Sequence, residues 1–214
     1  SSMYTRTLKL MACLLAALTL TLAACRGPEA DPAAHLSPEA RARTVPIVRP
    51  LKLVPMETPL VVEFDALPPG PNASSTLSIG IRVRATGTLD SAGVTDRIKD
   101  AGLPVQITLM RIEDSREIAV RLIRDDQSAE DGQRLVPVPS SGMVPGAVRD
   151  TVDSTSLGET GAAHRSGALR FMAFAWAPDL TPGRYRLSFR LLDPPKELAP
   201  LKTELLLAYQ RKPK

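Results

Sequence analysis

The stretch Thr76-Leu-Ser-Ile-Gly-Ile-Arg-Val-Arg84 alternates apolar and polar side chains with a period of two. That period predicts a β-strand with one buried face, because successive side chains of a strand point to opposite sides of its sheet. The four aliphatic side chains would face a core, and Ser78, Gly80, Arg82 and Arg84 would face outward. A slip of one residue would bury the arginines, so the pattern specifies the register of this strand.

Residues 184–191 repeat the pattern, with Arg184, Arg186 and Arg190 outward and aromatic or leucine side chains inward. Short apolar runs separated by Pro, Gly, Asp and Ser predict further strands at residues 60–66, 104–112, 117–123, 168–176 and 203–209. Residues 168–176 are nearly all apolar and should form a central strand that is covered on both faces. Residues 117–124 also fit one or two turns of an amphipathic helix, and both assignments stay open.

One helix is predicted, at residues 91–101, with Ser91 as its N-cap, Val94 and Ile98 on one side, and Gly102 just past its end. Seven or so short strands in about 160 residues are typical of a small all-β domain. The sequence therefore predicts a mainly β fold, a two-layer antiparallel β-sandwich of immunoglobulin-like architecture with one short helix. A small β-barrel is the alternative.

The N-terminal region has the pattern of a lipoprotein signal peptide, which we expect at residues 1–24, with residues 1 and 2 set aside as preceding the first methionine. Arg6 and Lys9 precede a short apolar run that ends in Leu22-Ala-Ala-Cys25. Small side chains before a cysteine suit cleavage there and attachment of lipid to the thiol of Cys25. Arg26 is not the aspartate associated with inner-membrane retention, so the expected location is the outer membrane, facing the periplasm.

The mature chain is expected to have two parts. Residues 25–53 carry the lipid and a Pro- and Ala-rich tether, and residues 54–214 form the β-sandwich domain. Residues 139–167 are rich in Gly, Ser and Thr and have little hydrophobic periodicity, which indicates either a functional loop or a mobile one. Because Cys13 would be removed and Cys25 lipidated, the mature chain is predicted to form no disulfide.

The charge of the chain does not indicate nucleic-acid binding. There are 27 basic and 23 acidic residues, and removal of two basic residues with the signal peptide leaves 25 against 23. The outward arginines of two predicted strands, Arg82, Arg84, Arg184, Arg186 and Arg190, would form a basic stripe if those strands were neighbours. Such a stripe is a candidate contact for an acidic protein or a lipid headgroup surface, or simply a solvated face.

No motif for catalysis, a cofactor or a metal emerges from the sequence. His35 lies in the tether, and His164 lies in the Gly-rich loop with Ser166 and Glu159, where rigid elements do not hold a triad together. Four carboxylates, on Asp125, Asp126, Glu130 and Asp131, miss the spacing of a calcium-binding EF-hand and indicate a hydrated turn instead. We therefore expect a protein that is not an enzyme and has no cofactor.

Four segments give the chain a family resemblance, namely Val61-Val-Glu-Phe64, Leu103-Pro-Val-Gln-Ile-Thr-Leu109, Leu180-Thr-Pro-Gly-Arg-Tyr-Arg-Leu187, and Leu205-Leu-Leu-Ala-Tyr209 with Lys212. In this order, behind a lipid signal, they resemble a family of proteobacterial lipoproteins whose domain has no assigned function. That resemblance implies a periplasmic binding module similar to toxin-immunity lipoproteins. The expected function is to neutralise an antibacterial secreted toxin; the alternative is a structural or accessory lipoprotein of an envelope or secretion assembly.

Overall fold

The computed structural model describes residues 35–84, 91–128, 134–159 and 169–213, which lie within one compact unit, His35–Lys214. The strands in these residues are β1 Ile47–Leu51, β2 Leu60–Ala66, β3 Ala73–Arg84, β4 Val105–Glu113, β5 Arg116–Ala119, β6 Ile123–Asp125, β7 Leu135–Pro137, β8 Met143–Val144, β9 Val148–Arg149, β10 Leu169–Ala177, β11 Gly183–Leu191 and β12 Thr203–Arg211. The helices are α1 Pro38–Ala42, α2 Ser91–Ala101, α3 Ser154–Glu159 and a 3-10 turn at Lys196–Leu198.

The strands form two antiparallel sheets. Sheet A has the order β2-β11-β4-β5, and β8 also pairs with β4. Sheet B has the order β1-β12-β3-β10-β6-β7, and β9 also pairs with β10. No pairing between these strands joins sheet A to sheet B across the described ranges. The predicted two-layer β-sandwich is therefore confirmed, and the alternative of a closed barrel is wrong.

The core lies between the sheets and is built from the inward residues of β3 and β11. All four aliphatic side chains predicted to face inward on β3 are fully buried, and so are Tyr185, Leu187, Phe189 and Leu191 on β11. Their branched and aromatic side chains suit a pleated surface that is buried on one side. The alternation in the sequence thus identifies the core-facing side of both strands, although Ser78 and Arg82 on the other side of β3 are buried as well.

Local patterns also place several other elements correctly. Strand β2 occupies residues 60–66 and helix α2 occupies residues 91–101, as predicted. Val94 and Ile98 of α2 are buried, and Gly102 follows the helix with a φ of 72°, which suits a left-handed C-terminal cap. Strand β10 is central in sheet B and buried along most of its length, as its nearly continuous apolar sequence predicts.

The single strand predicted at residues 117–123 is wrong. Strand β5 ends at Ala119 in sheet A, and β6 starts at Ile123 in sheet B. The chain crosses from one sheet to the other between them, and Leu122 is buried in the crossing. A crossing segment also needs apolar residues, so its composition looks like a continuation of the strand.

The predicted tether also extends too far, because the structure already contains ordered elements before residue 53. Strand β1 pairs with β12, and Ile47, Leu51 and Leu53 are buried in the core. Strand β1 lies at the edge of sheet B, where a proline such as Pro50 is tolerated because one side of the strand makes no ladder hydrogen bonds. Pro50 in this strand and Pro46 just before it gave the segment the composition of a linker.

Much of the loop predicted at residues 139–167 is also structured. Strands β8 and β9 join opposite sheets, and Val152 bridges to Gln210 on β12. Leu157 of α3 then packs with Leu206 and Ala208 on the outer face of sheet B. The remainder of the predicted loop, residues 160–167, lies outside the described residues.

Candidate protein-binding face

The basic stripe predicted from the sequence does not exist as one surface. Arg82 and Arg84 are on β3 of sheet B, whereas Arg184, Arg186 and Arg190 are on β11 of sheet A. Because both sets point away from the core, they lie on opposite sides of the sandwich. The prediction failed because β3 and β11, although similar in pattern, pair with different strands.

Arg82 was also predicted to face solvent, and this is wrong. Its side chain is only 2% exposed, and its Nε lies 2.5 Å from Oε2 of Glu204, its register neighbour on β12. Arg84 is half-buried beside Lys52 and Lys202 in a cleft of about 730 Å³ at the end of sheet B. The two β3 arginines therefore belong to the covered side of the sandwich.

The outer face of sheet A is open to solvent and has a charged end. Glu63 on β2 and Glu117 on β5 flank Arg184 and Arg186 on β11. Arg186 donates through Nε at 3.0 Å and through Nη2 at 2.6 Å to Oε1 of Glu63, and its Nη1 contacts Glu117. Arg184 donates to the other oxygen of Glu63 at 2.5 Å.

This cluster fixes the charge state of its central carboxylate. Hydrogen bonds from Arg186 first, and from Arg184 second, hold the pKa of Glu63 below its usual value of 4.5. Glu63 therefore stays ionised at neutral pH and neutralises part of the charge of both arginines. We refer to Glu63, Arg184, Arg186 and Glu117 as the charged end of sheet A.

The other end of the same face is uncharged. Register pairing places Ser188 of β11 between Val61 of β2 and Thr108 of β4, and it places Gln106 of β4 beside Met143 of β8. Val61 is 55% exposed and Met143 is 40% exposed, which is high for apolar side chains. We refer to these five residues as the Val61 patch.

Arg190 borders the Val61 patch and differs from the two other arginines of β11. It is the register neighbour of Gln106, and its Nε is buried without a hydrogen-bond partner. In the part of the chain that the structure describes, its side chain forms no ion pair. The residue as a whole is partly exposed.

The Val61 patch was missed by the sequence analysis, although one signal was available. Residues 60–66 alternate with Val62 and Phe64 inward, which makes Val61 an apolar side chain at an outward position. An apolar residue on the solvent side of a strand is informative because that side is normally polar. Thr108 and Met143 could not be assigned to this patch from the sequence, because only the pairing of distant strands places Thr108 beside Ser188 and Met143 beside Gln106.

The outer face of sheet B was also missed as a polar site. Asp150 accepts hydrogen bonds at Oδ2 from Ser78 at 2.5 Å and from Trp176 Nε1 at 3.0 Å. Its Oδ1 accepts from Gln210 at 2.9 Å and from the Thr151 backbone N–H at 2.8 Å. With all four donors inside the chain, this carboxylate anchors residues 148–152 to sheet B, which is a structural role.

The structure describes only some of the residues that the sequence analysis tested for catalysis or metal binding. His35 is exposed, while His164, Ser166, Glu130 and Asp131 lie outside the described residues. Asp126 accepts hydrogen bonds from the side chain and backbone of Ser128, which lower its pKa. Within residues 35–84, 91–128, 134–159 and 169–213, no three His, Cys, Asp or Glu side chains group as metal ligands.

Cys25 and the predicted signal peptide also lie outside the described residues, so lipidation stays a prediction. None of the helices that the structure describes has the length and apolar character needed to cross a membrane.

Comparison with known proteins adds one distant likeness. No family model matches the chain, and no curated protein matches it. The chain is similar to a protein of Sulfurospirillum deleyianum solved by crystallography, with 12% identity and a TM-score of 0.39. The matched region covers 78% of this chain and 98% of that one. A likeness this distant carries no information about what either protein binds.

Proposed function

We propose that this chain is a lipid-anchored periplasmic protein of the bacterial outer membrane that binds and neutralises an antibacterial secreted toxin. The lipid anchor is attached at Cys25, within the sequence Leu22-Ala-Ala-Cys25. An anchored inhibitor is concentrated at the envelope, where a toxin that attacks lipid or cell wall must act. Binding, rather than catalysis, is the activity of the β-sandwich.

The observation that carries the binding proposal is the composition of the open face of sheet A. There, exposed Val61 and Met143 lie on the same sheet face as Arg184 and Arg186, whose geometry is held by ion pairs. Arg and Met are enriched in protein interfaces, and apolar contacts surrounded by polar groups favour association. Side chains that are already ordered also lose less conformational entropy when a partner binds.

Protection of living cells tests this proposal. A secreted antibacterial toxin of the same bacterium would be directed to the periplasm of a susceptible strain, with or without the full chain. The expected result is restored colony formation with the full chain and killing with the empty vector. A matched charge reversal in the charged end, Arg186→Glu, and one on sheet B, Arg211→Glu, would show whether protection depends on the face of sheet A. Killing in the presence of well-expressed full chain would contradict the proposal.

A second candidate function is that of an accessory lipoprotein in an envelope or secretion assembly. The observation that favours it is strand β5, an edge strand of sheet A in which all four residues are exposed. Val120 N–H donates to Leu109 C=O, so the alternating ladder turns the backbone groups of Glu117 and Ala119 toward the open edge. An exposed edge can accept a strand from another protein.

Proline substitution separates this candidate from the first. Ala119→Pro would remove an outward N–H while sparing the ladder to β4, so the fold should persist and strand addition should fail. Ile118→Pro is the matched control, because Ile118 bonds inward to β4 and its loss would destabilise the edge. If Ala119→Pro left assembly of a neighbouring secretion or pilus system unchanged, the accessory function would lose its support.

A further inference from the structure

Arg190 is a cation that the fold holds in place without neutralising it. It lies on the outer face of β11, between the inward side chains Phe189 and Leu191, both of which are fully buried. Its Nε is buried with no hydrogen-bond partner, and the residue as a whole is partly exposed. Because the described residues supply no acceptor to this guanidinium, its terminal nitrogens are available to an acceptor from outside the chain.

Arg190 differs in its ion pairing from the two arginines of the charged end. Arg184 and Arg186, on the same strand and the same face, share the carboxylate of Glu63, and Arg186 also contacts Glu117. Around Arg190 the register neighbours are uncharged, beginning with Gln106, whose own amide donates to the carbonyl of Ser141 at 2.9 Å. Within the residues that the structure describes, Arg190 forms no ion pair with a carboxylate.

The surroundings of Arg190 match the centre of a protein interface. The Val61 patch adjoins it and supplies two exposed apolar side chains together with small hydroxyl and amide groups. An arginine beside apolar surface is a frequent hot spot, because the contacts around it exclude water from its ion pair. A carboxylate suits it best, since two oxygens can accept from the two terminal nitrogens of a guanidinium.

We propose that the Val61 patch is the docking surface for a protein partner, and that Arg190 binds a carboxylate of that partner. This inference rests on the proposed function and names its contact site. A protein is favoured over an anionic membrane, because lipid-binding surfaces use clusters of several basic residues. Here the two neighbouring arginines of the strand are already paired with Glu63 and Glu117.

Affinity measurements on charge variants test the assignment. The probe is a purified secreted antibacterial toxin of the same bacterium, titrated against the full lipidated chain in detergent by isothermal titration calorimetry. Arg190→Ala should weaken binding roughly tenfold to a hundredfold, and Arg190→Lys should recover part of that loss because a charge remains. The matched control is Arg211→Ala, an exposed arginine at the end of β12 in sheet B, which should change binding less than about twofold. Removing Arg190 breaks no described hydrogen bond, so the variant should keep its melting temperature.

Charge reversal identifies the type of partner group. Arg190→Glu should abolish binding, and a toxin in which one interface carboxylate is changed to lysine should restore it. Equal affinities of wild type and Arg190→Ala for the toxin would overturn this inference and leave the proposed function standing. No binding by the wild type would overturn the proposed function and this inference with it. Phosphatidylglycerol vesicles that bind the wild type but not Arg190→Ala would assign the site to membrane and overturn the protein partner.

Discussion

Replacing Asp150 with alanine should destabilise the fold more than any change at an exposed acidic residue. The carboxylate of Asp150 accepts four hydrogen bonds, two at each oxygen. Two of its donors, the hydroxyl of Ser78 and the indole N–H of Trp176, belong to side chains that are only 3% exposed. Alanine would leave both of these donors buried without an acceptor.

The magnitude follows from those two donors. Each buried donor without a partner costs about 1–3 kcal/mol, and the loss of the remaining contacts to Gln210 and Thr151 adds to this. We therefore expect Asp150→Ala to lower the free energy of unfolding by about 3–5 kcal/mol, or the melting temperature by roughly 10 °C. Asp150→Asn should lower the free energy of unfolding by about half as much. One side-chain oxygen of the asparagine still accepts hydrogen bonds, but its NH₂ group faces donors and cannot accept from them.

Urea unfolding followed by tryptophan fluorescence measures this directly, because Trp176 is the single tryptophan and donates to Asp150 itself. Asp193→Ala, an exposed aspartate outside this network, is the control and should change stability by less than about 0.5 kcal/mol. A loss below about 1 kcal/mol for Asp150→Ala would refute the reasoning that this carboxylate anchors residues 148–152 to sheet B.

Three further predictions concern close packing, ionisation and lipidation. Gly80→Ala should destabilise the packing of β3 against β10 by about 3 kcal/mol in thermal melting, because its Cβ would lie 1.9 Å from the Met172 carbonyl oxygen. Gly70→Ala is the control and should be near neutral, because nothing lies within 4 Å of its Cβ. Burial first, and the charge of neighbouring Tyr185 second, raise the pKa of Tyr209 to about 12. The free energy of unfolding should therefore fall as pH rises from 10 to 12, and Tyr209→Phe should reduce that fall in alkaline urea titrations. Cys25→Ser should move the chain from the membrane fraction to the soluble fraction and abolish incorporation of labelled fatty acid; retention in the membrane fraction would count against lipidation.

Patterns within one element could be predicted from the sequence because they depend on local periodicity. The alternation at residues 60–66 and the helix at residues 91–101 have the observed bounds, and the side chains predicted to face inward on β3 and β11 are buried. Sheet class follows from the same information, since many short alternating strands can bury their apolar faces only against a second sheet.

Pairing between distant strands could not be predicted in this way. Arg82 and Arg186 have the same local pattern, yet one is buried beside Glu204 and the other is exposed beside Glu63. The two ion pairs span 122 and 123 residues of sequence, so no local signal reports them. The candidate face was missed for the same reason, because it is assembled from four strands that are separated along the chain.

The most direct test of the proposed function is calorimetric titration of the purified full chain with a purified secreted antibacterial toxin of the same bacterium, with the activity of the toxin assayed in the same samples. We expect a stoichiometric complex in which the activity of the toxin falls in proportion to the bound fraction. A toxin that stays fully active in excess of the chain, with no heat of binding, would contradict it.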